Sequence, residues 1–241
     1  MDIPKNIEAV FDRIVAEAKP VSVFVYGSRA KGDFKEDSDW EVGVLFKRDK
    51  KWRRRELKEL HSLDNLNIYP FVYEDFVKYS LDTPFPRAVY LRELLEGAKT
   101  VRCKQVVEKM KLPVIKVSDL LETGTFQIAF AWAAILSSRR EDWITTRIEF
   151  AKSVLFGTRV LEILELKKFP IEYEKIAETA TELDLEPQFR MLIKHAVDVR
   201  GGGNVDPVWL YTNITYLNQV VLQRVRDVLQ KGDKVVLKSR R

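Results

Sequence analysis

The sequence predicts an α/β domain followed by an all-helical one, on three observations. Up to Lys111-Leu112-Pro113, short runs rich in Val, Phe and Tyr alternate with helical patterns, the mark of α/β organisation. Beyond that point apolar residues recur at helical spacing only, over about residues 118–139, 142–166, 171–183, 187–199 and 207–230. The stops and starts agree with those ranges: Pro170 and Pro187 stand near helix starts, Gly201-Gly202-Gly203 terminates, and Asp206-Pro207 reads as a cap followed by Pro in the first turn. The expected domains are residues 1–112 and 113–241.

Along the first domain, MDIPKNIEAVFDRI reads as a capped amphipathic helix rather than a signal peptide. The apolar run Phe24-Val25-Tyr26 then stops at Gly27-Ser28, and after a short polar stretch the chain resumes as Ser38-Asp39-Trp40-Glu41-Val42-Gly43-Val44-Leu45. On a strand, Asp39 and Glu41 project from one face, and Trp40 and Val42 from the other. Two carboxylates so placed repel each other, and a divalent cation between them is the usual remedy; Mg²⁺ is typically held by one or two carboxylates plus substrate phosphates. Gly27 lets the backbone approach closely, and Ser28 offers a hydroxyl and an N–H at a helix start, so this turn supplies the phosphate half of such a site. A bare Asp-x-Glu is most often the acidic outer face of a strand. The order apolar strand, Gly-Ser, short basic helix, then Ser-Asp-x-Glu within a second strand is more specific.

That order resembles the signature of the nucleotidyltransferase superfamily related to DNA polymerase β, which includes the kanamycin (aminoglycoside) nucleotidyltransferases and the minimal nucleotidyltransferases. The resemblance implies an α+β nucleotidyltransferase domain with a small mixed sheet, followed, as in the kanamycin enzymes, by a helical bundle that shares in the substrate pocket. It implies that Gly27, Ser28, Arg29, Lys31 and Ser38 bind a nucleoside triphosphate, ATP by default, and that Asp39 and Glu41 are the catalytic ligands of one or two Mg²⁺ ions. A third acid often lies on a later strand. The candidate strand is Leu66-Asn67-Ile68-Tyr69-Pro70-Phe71-Val72-Tyr73, where the acid would fall on Asn67. Asn accepts a hydrogen bond but does not remove a proton at neutral pH. Residues 83–87 and 91–101 resemble the helix and closing strand of such domains. By similarity to the first helical segment of the aminoglycoside enzymes, Glu141 is the expected catalytic base, with Asp142 and Glu149 as open alternatives.

The function expected is Mg²⁺-dependent transfer of a nucleoside monophosphate from a triphosphate to a hydroxyl on a small molecule, a protein or an RNA. Asn67 supports an alternative, an inactive nucleotide-binding or regulatory module, and an antitoxin-like protein AMP-transferase is a further one. Arg190-x4-His195 resembles the RNase motif of HEPN domains, against which stands a partly packed helical histidine; His61 reads as structural.

Composition sets the remaining bounds. With 241 residues and 46% hydrophobic content the chain suffices for packed cores, and its single cysteine, Cys103, excludes an internal disulfide framework. No apolar stretch reaches the roughly 18 residues of a membrane span, so no membrane is expected and the location expected is cytoplasmic. The segment Lys47–Arg55, with Trp52 for stacking, is the most basic one, and the net charge is +5. Nucleic-acid contact is an open partner on that ground, as is a homodimer. The basic tail Lys238-Ser239-Arg240-Arg241 reads as a frayed end.

Overall fold

In the computed structural model, which describes residues 2–32, 34 and 38–239, the Val/Phe/Tyr runs build a mixed sheet. Arg240 and Arg241 of the tail lie outside the described residues. The strands are β1 (Ser22–Tyr26), β2 (Trp40–Phe46), β3 (Leu66–Val72) and β4 (Lys99–Cys103), in the order β3-β2-β1-β4. β1 pairs antiparallel with β2 and β4, and β2 pairs parallel with β3 in a register that sets Glu41 beside Asn67 and Gly43 beside Tyr69. Pro70, inside β3, has no N–H to donate and is tolerated because β3 is an edge.

Period-two alternation gives the sheet two apolar faces. Val23, Val25, Trp40, Val42, Val44 and Ile68 pack with Ile7, Phe11 and Ile14 of α1 (Lys5–Ala18), and with Leu57 of α3 (Arg54–Lys58), which follows a short 3-10 turn at Arg48–Lys50. Phe24, Tyr26 and Leu45 take the opposite face, against Leu91, Leu94 and Leu95 of α5 (Arg87–Gly97) and Phe76 of α4 (Tyr73–Phe76). The ring of Phe24 lies where a side chain on Gly43 would project, which explains a glycine in the middle of a buried strand. The five-residue α2 (Gly27–Lys31) springs directly from β1. This first compact unit extends to Pro113.

The second unit, Val114–Lys238, is a set of helices closed by a two-stranded ribbon, β5 (Ile115–Lys116) with β6 (Val235–Leu237). Its helices are α6 (Val117–Ser138), α7 (Trp143–Leu161), α8 (Tyr173–Thr179), α9 (Pro187–Arg200), α10 (Pro207–Thr215) and α11 (Gln223–Leu229). Buried polar groups register them: Asn213 Nδ2 donates to Ser153 Oγ at 2.9 Å, Ser153 Oγ donates to the Gln127 carbonyl at 3.0 Å, and the hydroxyls of Thr158 and Tyr216 bond at 3.0 Å. Two stretches, Glu162–Leu166 after α7 and Tyr216–Leu222 between α10 and α11, take the wider π-helical turn. On length and composition α6 is able to cross a membrane, with 22 residues and a mean hydropathy of 1.3 over its best window. This differs from the sequence expectation because Ser, Thr and Gly interleave with the apolar residues, so that no uninterrupted apolar run marks it. Gly124, Gln127, Ala131 and Ala134 of this helix are buried.

Candidate active site

Tyr26, the last residue of β1, pairs with Glu41 near the start of β2, and the chain turns into α2 at the next residue. Gly27 makes this turn at φ +74°, a conformation that favours glycine, and a β-carbon there would overlap Oε2 of Glu41. The Glu41 carboxylate is therefore seated directly over the Gly27-Ser28 turn. Asp39 precedes β2 by one residue, is exposed, and is two positions from Glu41. Trp40 and Val42 are buried in the α1-side core.

The remaining predicted groups of this unit have defined partners. Arg29 donates through Nε and Nη2 to the Ser38 carbonyl, at 3.0 and 2.7 Å, and its guanidinium lies over the rings of Phe34 and Trp40 at 4.6 and 5.2 Å. It thus ties α2 to the segment that leads into Asp39. Lys31 pairs with Glu93 of α5 at 2.6 Å, a contact in which the lysine is nearly buried. Asn67 Nδ2 donates to Asp39 Oδ2 at 3.0 Å. On its other side Asn67 Oδ1 accepts from Arg54 Nη2 at 3.4 Å, and the Arg54 guanidinium stacks over Tyr69 at 4.4 Å.

Three tyrosines adjoin Glu41. Tyr69 lies 6.2 Å from Tyr26 between ring centroids. Burial above all, reinforced by the neighbouring phenols and Glu41, holds the Tyr26 hydroxyl well above its ordinary range; burial likewise pushes Tyr90 up to about 12. Both phenols stay neutral at any physiological pH, so the local negative charge belongs to the carboxylates.

Residues 7–85 match the sequence model of the family described as "Polymerase beta, Nucleotidyltransferase". Over this stretch the chain resembles the nucleotidyltransferase domain of the polymerase β superfamily. In three dimensions the chain resembles spectinomycin adenyltransferase AAD(9) from Enterococcus faecialis, a structure solved with ATP and spectinomycin, at a TM-score of 0.55 and 14% identity over 91% of this chain and 98% of that one. The likeness shows a shared architecture: a nucleotidyltransferase domain with a mixed four-stranded sheet, then a mostly helical region. No curated protein matches by sequence.

The donors of this nucleotidyltransferase domain suit a hard divalent cation. Asp39 and Glu41 offer carboxylate oxygens, and among the described residues no group of three or more His, Cys, Asp or Glu side chains would hold a metal alone. Asp39 and Glu41 would hold such an ion only together with the oxygens of a bound triphosphate.

Outside the nucleotidyltransferase domain, Glu141 is exposed in the turn between α6 and α7, in the left-handed region at φ 60°. Asp142 caps α7, its Oδ1 accepting from the Thr145 N–H at 3.1 Å, and the Thr145 hydroxyl, with that N–H, holds its pKa below the usual range. Glu149 is partly buried, and burial raises its pKa. Arg190 donates to the carbonyls of Leu183 and Leu185, at 2.8 and 3.0 Å, and His195 packs against Phe150 and Trp209. Both are structural groups, with burial lowering the histidine pKa. His61 accepts from the Leu63 N–H at 3.2 Å and shapes a turn. Trp52, expected to be open for stacking, instead packs on the sheet core, and Arg48 of the same basic segment is ion-paired with Asp75. Sequence reasoning did not single out Arg54, Tyr69, Tyr90 or Glu93. Arg54 is visible in the sequence only as one member of a basic run; nothing in its spacing tells that it bends over β3.

Proposed function

We propose that the chain transfers the adenylyl group of ATP to a hydroxyl of a small polyhydroxylated acceptor, with Mg²⁺ as cofactor: the acceptor oxygen bonds to the α-phosphorus, the bond from that phosphorus to the β-phosphate oxygen breaks, and pyrophosphate leaves. The observation that carries this reading is the seating of the Glu41 carboxylate over the Gly27-Ser28 turn, on the strand that Asp39 leads into. A triphosphate held by the turn then meets both acids. The Ser28 hydroxyl and the N–H groups of the turn receive its terminal phosphates, and Arg29, bonded to the Ser38 carbonyl, holds the turn and the Asp39 segment together. Lys31 supplies positive charge beneath the turn while paired with Glu93. Asp39 and Glu41 would hold Mg²⁺, which would supply neutralisation of phosphate charge and polarisation of the α-phosphate. Glu141 is the proposed acceptor of the hydroxyl proton, a role for which Asp142, committed to its cap, is less suited.

A small-molecule acceptor is supported by the extent of the likeness to AAD(9), a structure solved with spectinomycin, over 91% of this chain. A second reading, nucleotide binding without transfer, is favoured by one observation: Asn67, with no acid function, is the residue bonded to Asp39. Incubation of the protein with Mg²⁺ and each α-labelled nucleoside triphosphate, together with aminocyclitols, RNA or cell extract, separates the readings. Label from ATP on a small molecule is expected. Label on RNA or protein would replace the acceptor class, and triphosphate binding without any labelled product would favour the second reading.

A further inference from the structure

Between β2 and β3 the site has a side that carries positive rather than negative charge. Asn67, beside Glu41 in the parallel register, turns its amide N–H toward Asp39 and its carbonyl toward Arg54. Arg54 is fixed twice, by that hydrogen bond and by the face of Tyr69, the next residue on the same side of β3. An amide N–H and a guanidinium are donors only, and both repel a metal ion. One oxygen of Asp39 is already occupied by the amide. The two carboxylates carry two negative charges, which a single divalent ion balances.

We propose that the site binds one divalent ion, and that Arg54 serves as a second, fixed cation contacting the triphosphate. The inference rests on the transferase reading above and adds to it the ion count and a phosphate-binding residue. Arg is suited to the task because its planar fork meets two phosphate oxygens at once, and because its charge persists at every relevant pH. Asn67 then has a definite part: it accepts from Arg54 while donating to Asp39, and so spaces the fixed cation from the metal ligand.

The test is a titration of the full chain with Mn²⁺ and α,β-methylene-ATP, with free Mn²⁺ followed by electron paramagnetic resonance and nucleotide affinity by calorimetry. One ion per bound nucleotide is expected. Arg54→Ala should weaken the analogue about tenfold to a hundredfold, the range for a hydrogen bond to a charged group, and Arg54→Lys should restore part of the loss. The double variant R54A/N67D should take up a second ion. Arg54 is exposed, so its single variants test the proposal even if the double variant does not fold. Two ions in the unaltered protein, or unchanged affinity in Arg54→Ala, would overturn it. Absence of analogue binding to the unaltered protein would overturn the transferase reading and this inference together.

Discussion

Glu41 occupies the space that a side chain on Gly27 would need. The acid and the turn thus constrain each other: the carboxylate has its seat only because residue 27 lacks a β-carbon, and the turn needs a left-handed residue. Gly27→Ala should therefore displace Glu41 and strain the backbone, the latter alone costing about 1–2 kcal/mol. Thermal unfolding should show a loss of several degrees, and calorimetry weaker ATP binding. In the double variant G27A/E41A the overlap is gone, so its destabilisation should be smaller than the sum of the two single effects. Additive losses would show that the two residues are uncoupled.

Asp39→Ala should abolish most of the gain in ATP affinity that Mg²⁺ confers on the unaltered protein, since half of the carboxylate pair is removed. The comparison is calorimetry in Mg²⁺ and in chelator. Equal affinities for the unaltered protein in the two conditions would remove Asp39 and Glu41 from the metal role.

Glu141→Ala should reduce transfer by about 10² to 10⁴ with ATP binding preserved, as expected on loss of a general base. Asp142→Ala should act differently, lowering stability by about 1 kcal/mol through loss of the α7 cap. Rate measured at saturating acceptor and melting temperature measured on the same samples distinguish the two effects.

Glu162 gives the helical unit a pH dependence. Its carboxyl is fully buried, and burial, partly countered by Arg159 and Lys168 and reinforced by Glu182, raises its pKa from 4.5 to about 8. Between those values the folded protein holds a proton that the unfolded chain releases. Stability from this group is accordingly greatest below pH 4.5, falls as pH rises, and levels off above about 8. Glu162→Gln, neutral at every pH, should flatten the fall and raise the melting temperature at pH 8. An identical pH slope in the variant would show that Glu162 titrates normally.

The parts read most directly from sequence were those fixed by neighbours in the chain. The two strands around Gly27-Ser28, the period-two placement of Asp39 and Glu41, and the helices after Pro113 follow from short-range alternation, caps and breakers. Contacts across long separations left no such trace. Lys31 meets Glu93 and Arg102 meets Asp12 because sheet and helices bring them together, and a basic residue gives no sign of which acid it will find. Trp52 was misread for a related reason: a tryptophan in a charged run looks solvent-facing until the fold turns it onto the core. The π-helical turns at Glu162 and Tyr216 were hidden because one residue more per turn barely alters an apolar pattern.

Pro70 bears on how this molecule meets its copies. Sheet edges invite strands from neighbouring molecules, and the growth of such a ladder requires a donor at every second residue of the outer strand. β3 lacks an N–H midway along its length, so an incoming strand would lose its register there, close to Asn67 and Tyr69. The residue that interrupts the outer strand thereby also keeps a foreign backbone from zippering along the border of the carboxylate face, leaving that border to solutes small enough to approach from solution.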